Sequence, residues 1–502
     1  MAPILMVFAS IGCGSGSTPQ AGTRVVVGAV VDRTGNNASP TWPDALKLAE
    51  SLFNEGLIKA GITNYHFEVV IEDSRNTPTI AVSRALALVH DQNAKVMIAD
   101  SSQNDNALNR TFYAPPPDDV NSLGVPLMCA RCTSGSINSA TATNTDPVLQ
   151  TALRNGKLLN FRAIMAAKLE ALVLVRYLLK QGDGNGDVNG DGIFKLSLYA
   201  SNEAFGQATA KDVATYANQL RPRPCPTTGP VAGSGCTDIE TLYSPASPNA
   251  NTYNWNADLA KLTDINNDAT LLTAPAPDKY VGDGYPDAII VMGFAEHYIP
   301  FVENYKLNHY TIPVYHFHTF RINSVITALG SMAEGQQGIS HIVVDPTNLG
   351  MAQLMINRYS HPLAYGDTMF FDAATTFMLA LVNATIANSV ATPNELNTEQ
   401  IKAVMAPGAG GGVLQNGTKF NPDQIADGSA ILAVKAGPID FVGASGPMNW
   451  DALNNVKQKV AIFHVQNGVY VDDYTFDCTV AVDPMDPMYL QLACPCVSAT
   501  CP

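Results

Sequence analysis

The chain has 502 residues, room for two to four domains. With 46% apolar and 15% charged residues it is built to bury a core, which excludes a disordered chain. A net charge of −15 argues against nucleic acid or an anionic lipid surface as partner, because both select a basic footprint.

The first residues are apolar through 4–8 and run into Ser10, Ile11, Gly12 and Cys13. That is the pattern at the end of a bacterial lipoprotein signal, where small residues precede a cysteine that is lipidated. The uncharged Gly/Ser/Thr/Pro stretch 14–23 then reads as a tether. Residues 1–23 are therefore expected to act as signal and tether, with Cys13 the only link to a membrane. No later apolar run reads as long enough to span a bilayer. Setting Cys13 aside leaves Cys129, Cys132, Cys225, Cys236, Cys478, Cys494, Cys496 and Cys501, an even set that fits disulfides in an oxidising compartment. Cys225 and Cys236 would close a Pro/Gly loop, and the four tail cysteines are expected to pair among themselves.

Residues 24–31 (RVVVGAVV) form a β-rich run ending in Asp32, and 43–57 carry apolar residues at helical spacing. A strand at 65–71 and a helix at 79–90 follow. Then come two strands with polar tips. Residues 95–99 (KVMIA) end in Asp100, Ser101, Ser102 and Gln103. Residues 124–136 (GVPLMCARCTSGS) pass from Val125, Leu127 and Met128 into Cys132, Thr133 and Ser134. Strand–helix alternation at this spacing reads as a parallel sheet covered on both faces. Ligands of such sheets bind beyond the carboxyl edge of the strands. Two polar tips side by side thus point to a small-molecule cleft, the alternative for each being an ordinary helix N-cap.

A second series begins near Phe161. Helices are expected at 165–180, 207–220, 256–262, 298–306, 372–387 and 398–405, and strands at 195–199, 288–292, 313–317, 339–344, 440–442 and 460–465. Residues 221–250 read as a long Pro/Gly insertion. The fold class is α/β: two doubly wound parallel-sheet lobes, with a ligand site favoured at the seam between them.

The serial order of these pieces resembles the type 1 periplasmic solute-binding proteins, in the branched-chain amino-acid-binding branch of ABC-transporter receptors. The resemblance rests on VVVGAVVDRTG, FEVVIEDSRNTPTIAVSRALALV, KVMIADSS, GVPLMCARCTS, SLYASNEAFGQATAKDV, PDAIIVMG, TIPVYHFH, FFDAATTFMLAL, GASGPMNWD and VAIFHVQNGVYV, covering residues 24–472. It implies lobe 1 at 24–160 plus 347–456, lobe 2 at 161–346 plus 457–472, and a Cys-rich extension at 473–502. Three crossovers near Arg162, Asp345 and the segment after Trp450 would form the hinge. It also implies an exported bacterial protein, periplasmic or on the cell surface, that takes an amino-acid-like or related polar solute. An ABC permease would be its partner, with no cofactor required.

Residue by residue, the resemblance places the ligand's carboxylate at Ser102 (or Gln103) and at Thr133, beside the backbone of Arg131, and Ser101 is expected to add a hydroxyl or N–H group. The Arg131 side chain would attract an anion if it faced the cleft. Phe205 and Phe294 fall on the aromatic positions, and Phe205, lacking a hydroxyl, can only pack. His318 falls where relatives carry a carboxylate for the ligand's ammonium. An imidazole serves that role poorly. Asp372 matches a helix-start Asp and is expected as a cap. A surface interaction or sensory module on the same fold is the alternative function.

Asp183, Asn185, Asp187, Asn189 and Asp191 alternate with Gly, a pattern that can wrap calcium or simply form a polar turn. Cys129-Ala-Arg-Cys132 reads as a structural bridge more readily than a redox pair. His316 and His318 alternate on one strand face, the pattern a metal hydrolase would need. The stretch 408–412 (GAGGG) reads as a turn. With no G-x-S-x-G or HExxH present, binding rather than catalysis is expected.

Overall fold

A computed structural model of the chain describes residues 22–35, 38–112, 124–135, 137, 159–182, 184, 186–189, 193–220, 236–246, 248–249, 252–263, 285–342, 350–405, 417–451, 454–479, 494–498 and 501. In the first sheet, β1 (Thr23–Val31), β2 (Tyr65–Asp73), β3 (Val96–Ala99), β4 (Leu127–Cys129) and β5 (Asn160–Arg162) lie in the order β2-β1-β3-β4-β5, all parallel. β1 is buried from Val25 onward. Its alternate residues enter two cores. Val25, Val27 and Ala29 pack with Leu46, Phe53 and Phe370, while Val26 and Val30 pack with Ala81, Ala85, Leu88 and Leu108. A near-continuous apolar run is what a strand covered on both faces requires.

The helix Asp367–Ala387 packs against Thr41–Lys59 in the first of these cores. By length and composition it would suffice to cross a bilayer, which corrects the expectation that no later run would. It is a core helix: 89% of its apolar window is buried inside the protein. Apolarity all round is the signature of full burial.

The second sheet starts with β6 (Ile193–Ser201), β7 (Cys236–Ser244), β8 (Ala288–Met292), β9 (Val314–His316) and β10 (Gln337–His341). A small sheet then forms from β11 (Thr418–Phe420), β12 (Ile439–Gly443) and β13 (Gly446–Pro447). The chain returns to the second sheet as β14 (Lys459–Gln466) and β15 (Val469–Asp477), giving the order β15-β14-β10-β9-β8-β6-β7. β7 corrects the reading of 221–250 as insertion alone. β7 stands at the edge of the sheet with residues 238–243 exposed or half-buried, so no apolar run marks it in the sequence. β15 runs through Asp477, so the lobe boundary expected at 472 falls inside a strand. Cys478–Cys494 and Cys496–Cys501 pair within the tail as expected, and Cys129 pairs with Cys132. Cys225 lies outside the described residues, as do Cys13, Arg221, Arg223, Asp345 and the GAGGG stretch.

Between the sheets, Arg162 is fully buried and its guanidinium donates to the carbonyls of Cys132 (2.8 Å), Ser134 (2.6 Å) and Ile137. Its own carbonyl accepts from Trp450 Nε1 at 2.9 Å, and its N–H donates to Asn454 O at 3.1 Å. Two crossing strands of chain are thereby tied to the tip of β4.

Candidate functional site

β3 and β4 end side by side, Ala99 opposite Cys129, so the turns that follow them share one edge. Across a narrow gap stand the turns after β6, β8 and β9. Asp100, Ser101, Ser102, Gln103, Arg131 and Thr133 from the first side and Glu203, Phe205, Phe294, His318 and Thr319 from the second line one pocket of about 300 Å³, open solvent at its mouth included. All eight residues singled out from the sequence as ligand contacts lie on this lining. Asp100, Glu203 and Thr319 join them.

Hydrogen bonds hold the first wall. Ser102 Oγ accepts from the Ser134 N–H at 3.2 Å, which locks the two strand-end turns together. Ser101 Oγ (3.2 Å) and the Gln103 amide (2.8 and 2.9 Å) donate to Asn76, a left-handed residue with φ 49°. Asp100 is buried and accepts from the Asp32 N–H (2.5 Å), the Ser74 hydroxyl (3.1 Å) and the Asn104 amide (2.9 Å). Burial pushes its carboxyl up from the usual range, against the pull of those donors.

The two walls are bonded to each other. Thr133 Oγ1 lies 3.2 Å from His318 Nε2, and Ser134 Oγ donates to Ala204 O at 2.8 Å. On its far side His318 Nδ1 lies 2.7 Å from Glu170 Oε2. With Glu170 ionised, Nδ1 carries the proton and Nε2 accepts from the Thr133 hydroxyl, so the ring is neutral. Burial, and then the Arg131 charge, hold the His318 pKa well below the usual histidine value. At the apolar end, Phe205 stands 5.8 Å from Phe294 and 5.0 Å from the His318 ring, centroid to centroid. Glu203 accepts from the Ser201 hydroxyl (2.9 Å) and from the N–H groups of Gly206 (2.8 Å) and Phe205 (2.9 Å), capping the helix Ala204–Leu220.

No protein-family model matches the chain, and no curated protein matches it by sequence. Solved structures do match. The leucine-binding protein LivK of Thermotoga maritima superposes with a TM-score of 0.58 at 13% identity, covering 90% of this chain and 98% of that one. An ABC-transporter solute-binding protein of Rhodopseudomonas palustris, in complex with 3,4-dihydroxybenzoic acid, gives 0.57 at 13% identity, covering 92% and 99%. The branched-chain amino acid transporter substrate-binding protein LivJ of Streptococcus pneumoniae, in complex with isoleucine, gives 0.56 at 14% identity, covering 90% and 100%. The fold is that of the type 1 periplasmic binding proteins.

In this periplasmic-binding-protein fold the pocket lies beyond the carboxyl ends of the parallel strands of both sheets, where open α/β sheets place ligands. Its most unusual wall is one the sequence conceals. Arg131 is 6% exposed, with its guanidinium carbon 4.0 Å from the Trp42 ring centroid and 5.3 Å from that of Tyr365. Trp42 Nε1 donates to Tyr365 O at 3.0 Å, which fixes the two rings together. Gly366 has φ 99°, and a Cβ there would fall 2.7 Å from Trp42 Nε1 and 2.8 Å from Arg131 Cδ. Only glycine meets both demands.

Behind the pocket, Glu170, His318 and His341 place three potential ligand atoms within 4.8 Å of one another, all buried. Among the described residues the ligand atoms that converge on His318 are those of this trio and not of His316. His341 Nδ1 is 3.1 Å from Glu170 Oε1, and its Nε2 faces Met165 O at 3.2 Å. Burial pushes Glu170 up to about 7 and His341 down to about 4, the proximity of the two opposing both shifts.

His316 does not share the face of His318. The strand ends at His316, and the 3-10 turn His318–Phe320 redirects the next ring. The His316 ring stacks 4.0 Å from Phe320, with Nε2 2.8 Å from Gln336 Oε1. Burial lowers its pKa from 6.5 to about 4. The unfolded chain therefore binds more protons than the native one between those values. Stability that is complete above pH 6.5 is lost as pH falls toward 4. His316→Phe is expected to remove about 2 kcal/mol of the stability loss between pH 7 and pH 5, at 1.36 kcal/mol per pK unit. Urea unfolding of both proteins at the two pH values checks this; an unchanged pH dependence would contradict it.

Asp372 is not a helix-start cap. The helix begins at Asp367, whose carboxylate accepts from Thr41 Oγ1 (2.6 Å) and the Ala364 N–H (2.7 Å). Asp372 lies inside it and accepts from the N–H groups of Ala444 and Ser445, both at 2.7 Å, and from Ser445 Oγ at 2.6 Å. Of the expected calcium loop, Asp183, Asn185 and Asp191 lie outside the described residues. The described part is tied to Asp287, which accepts from the N–H groups of Val188 (2.6 Å) and Asn189 (3.1 Å), while the Asn189 amide donates to Tyr285 O at 2.8 Å.

Proposed function

We propose that the chain is an extracytoplasmic solute-binding protein that captures a small organic solute between its lobes and delivers it to an ABC permease. What carries this reading is a pocket walled from both sides and bridged by Thr133 and His318 at 3.2 Å. A ligand seated there would touch both lobes and favour their approach, the differential contact that drives domain closure. The space enclosed between the walls is about that of one water molecule, so a solute would enter only as the walls part. The solved structures of the same fold that carry isoleucine or 3,4-dihydroxybenzoic acid are of transport receptors. Attachment to the membrane through a lipid on Cys13 belongs to the same reading.

A melting-temperature screen against amino acids, carboxylates, amides and aromatics tests it. A true ligand at a hundred times its dissociation constant adds about 2.7 kcal/mol of stability. The shift is expected to disappear in Thr133→Ala, which removes the inter-lobe hydroxyl without opening a large cavity. Absence of a shift with every solute would oppose capture and favour a protein-interaction module.

A further inference from the structure

We infer that the solute is an organic anion, a carboxylate without an α-ammonium group, held by Arg131 with its apolar or aromatic body against Phe205 and Phe294. This rests on the solute-capture reading and names the class of ligand. Its first support is the state of Arg131. The side chain is nine-tenths buried and lines the pocket, yet its Nε and Nη1 meet no hydrogen-bond partner, and among the described residues no carboxylate stands within 4.0 Å of it. A buried cation whose donors meet no acceptor is unfavourable until one pairs with it. Held against the Trp42 and Tyr365 rings, the guanidinium carries a fork of donors that a planar carboxylate matches.

The second support is the engagement of the pocket's own carboxylates. An α-ammonium has three donors and needs acceptors. Both oxygens of Asp100 already accept from Asp32, Ser74 and Asn104. Both oxygens of Glu203 accept from its own turn, at Ser201, Phe205 and Gly206. His318 is fixed between Glu170 and Thr133. The Arg131 donors are open while the acceptors of Asp100 and Glu203 are taken, so the group missing from the site is an acceptor for a cation, the role a carboxylate fills.

Matched pairs that differ only in the ammonium test this directly: leucine with 4-methylpentanoate, and phenylalanine with 3-phenylpropanoate. Calorimetric titration of the full chain is expected to show at least tenfold tighter binding of the acid in one or both pairs. The corresponding neutral amide should bind at least tenfold more weakly than the acid. An amino acid bound as tightly as its deaminated partner, or an amide as tightly as the acid, would overturn this inference and leave solute capture standing. If no solute of any class bound, capture itself would fall, and the ligand class with it.

Discussion

Arg131→Met is expected to leave the unliganded protein as stable as the native sequence or more so, while weakening carboxylate binding by a hundredfold or more. The two effects have opposite signs for one reason. Arg131 is 6% exposed, and burial pulls its pKa down from the ordinary arginine range, against the pull of Tyr365, Asp100, Asp32 and Asp367. Methionine has a similar length, packs on aromatic rings and carries no charge to desolvate. Replacing a buried charge by apolar atoms of similar volume is often neutral or stabilising by about 1–4 kcal/mol. Binding should respond in the other direction, because hydrogen bonds to a charged group contribute roughly 1.5–3 kcal/mol each. Two such bonds amount to about 3 kcal/mol or more, hence the hundredfold. Urea unfolding and titration with 4-methylpentanoate measure the two halves separately. A variant that is strongly destabilised but binds normally would make Arg131 a packing residue.

Asp372→Ala is expected to destabilise the chain by about 3–5 kcal/mol, because it leaves two buried N–H groups and a hydroxyl without their acceptor at roughly 1–3 kcal/mol each. The carboxylate is fully buried and satisfies two backbone N–H groups and the Ser445 hydroxyl. Ser445 Oγ in turn accepts from Gln458 Nε2 at 3.0 Å. Gln458 also donates to Ala163 O (3.0 Å) and accepts from the Met165 N–H (3.0 Å). One side chain inside the helix Asp367–Ala387 thus supports the segments around Ala163 and Gln458. Gly443 packs on it so closely that a Cβ would come 2.4 Å from the Asp372 carboxyl, so no larger neighbour can refill the gap. Equilibrium unfolding in urea at pH 7 gives the value; a loss below 1 kcal/mol would show that water replaces the carboxylate without penalty.

The parts of the site legible in the sequence are those set by local order. Ser101, Ser102, Gln103 and Thr133 follow apolar strands directly, and a parallel strand must end in a turn facing the crevice. Phe205, Phe294 and His318 came from the family resemblance, and they stand just beyond the ends of β6, β8 and β9. The seat of Arg131 was not legible, because Trp42 and Tyr365 are more than 300 positions apart and meet only through packing of two helices. Glu170 escaped for a related reason. It stands among Leu169, Ala171 and Leu172 on a helix whose spacing marks the core, and only its histidine partners, over 140 residues away, make a carboxylate tenable there. Glu203 did carry a signal. A carboxylate two residues ahead of Phe205 at a helix start is a cap by pattern. The core helix Asp367–Ala387 was read five residues short because Asp372 resembles a first-turn acid, while its three donors come from a turn over 70 residues later.

Native mass spectrometry of the gently purified full chain tests solute capture most directly. The expected spectrum contains a second species heavier by the mass of one small organic acid. That species should disappear in Arg131→Met and return when the acid is added back to the native sequence. A single bare species, unchanged by added amino acids, carboxylates, amides and aromatics alike, would contradict capture of a solute between the lobes.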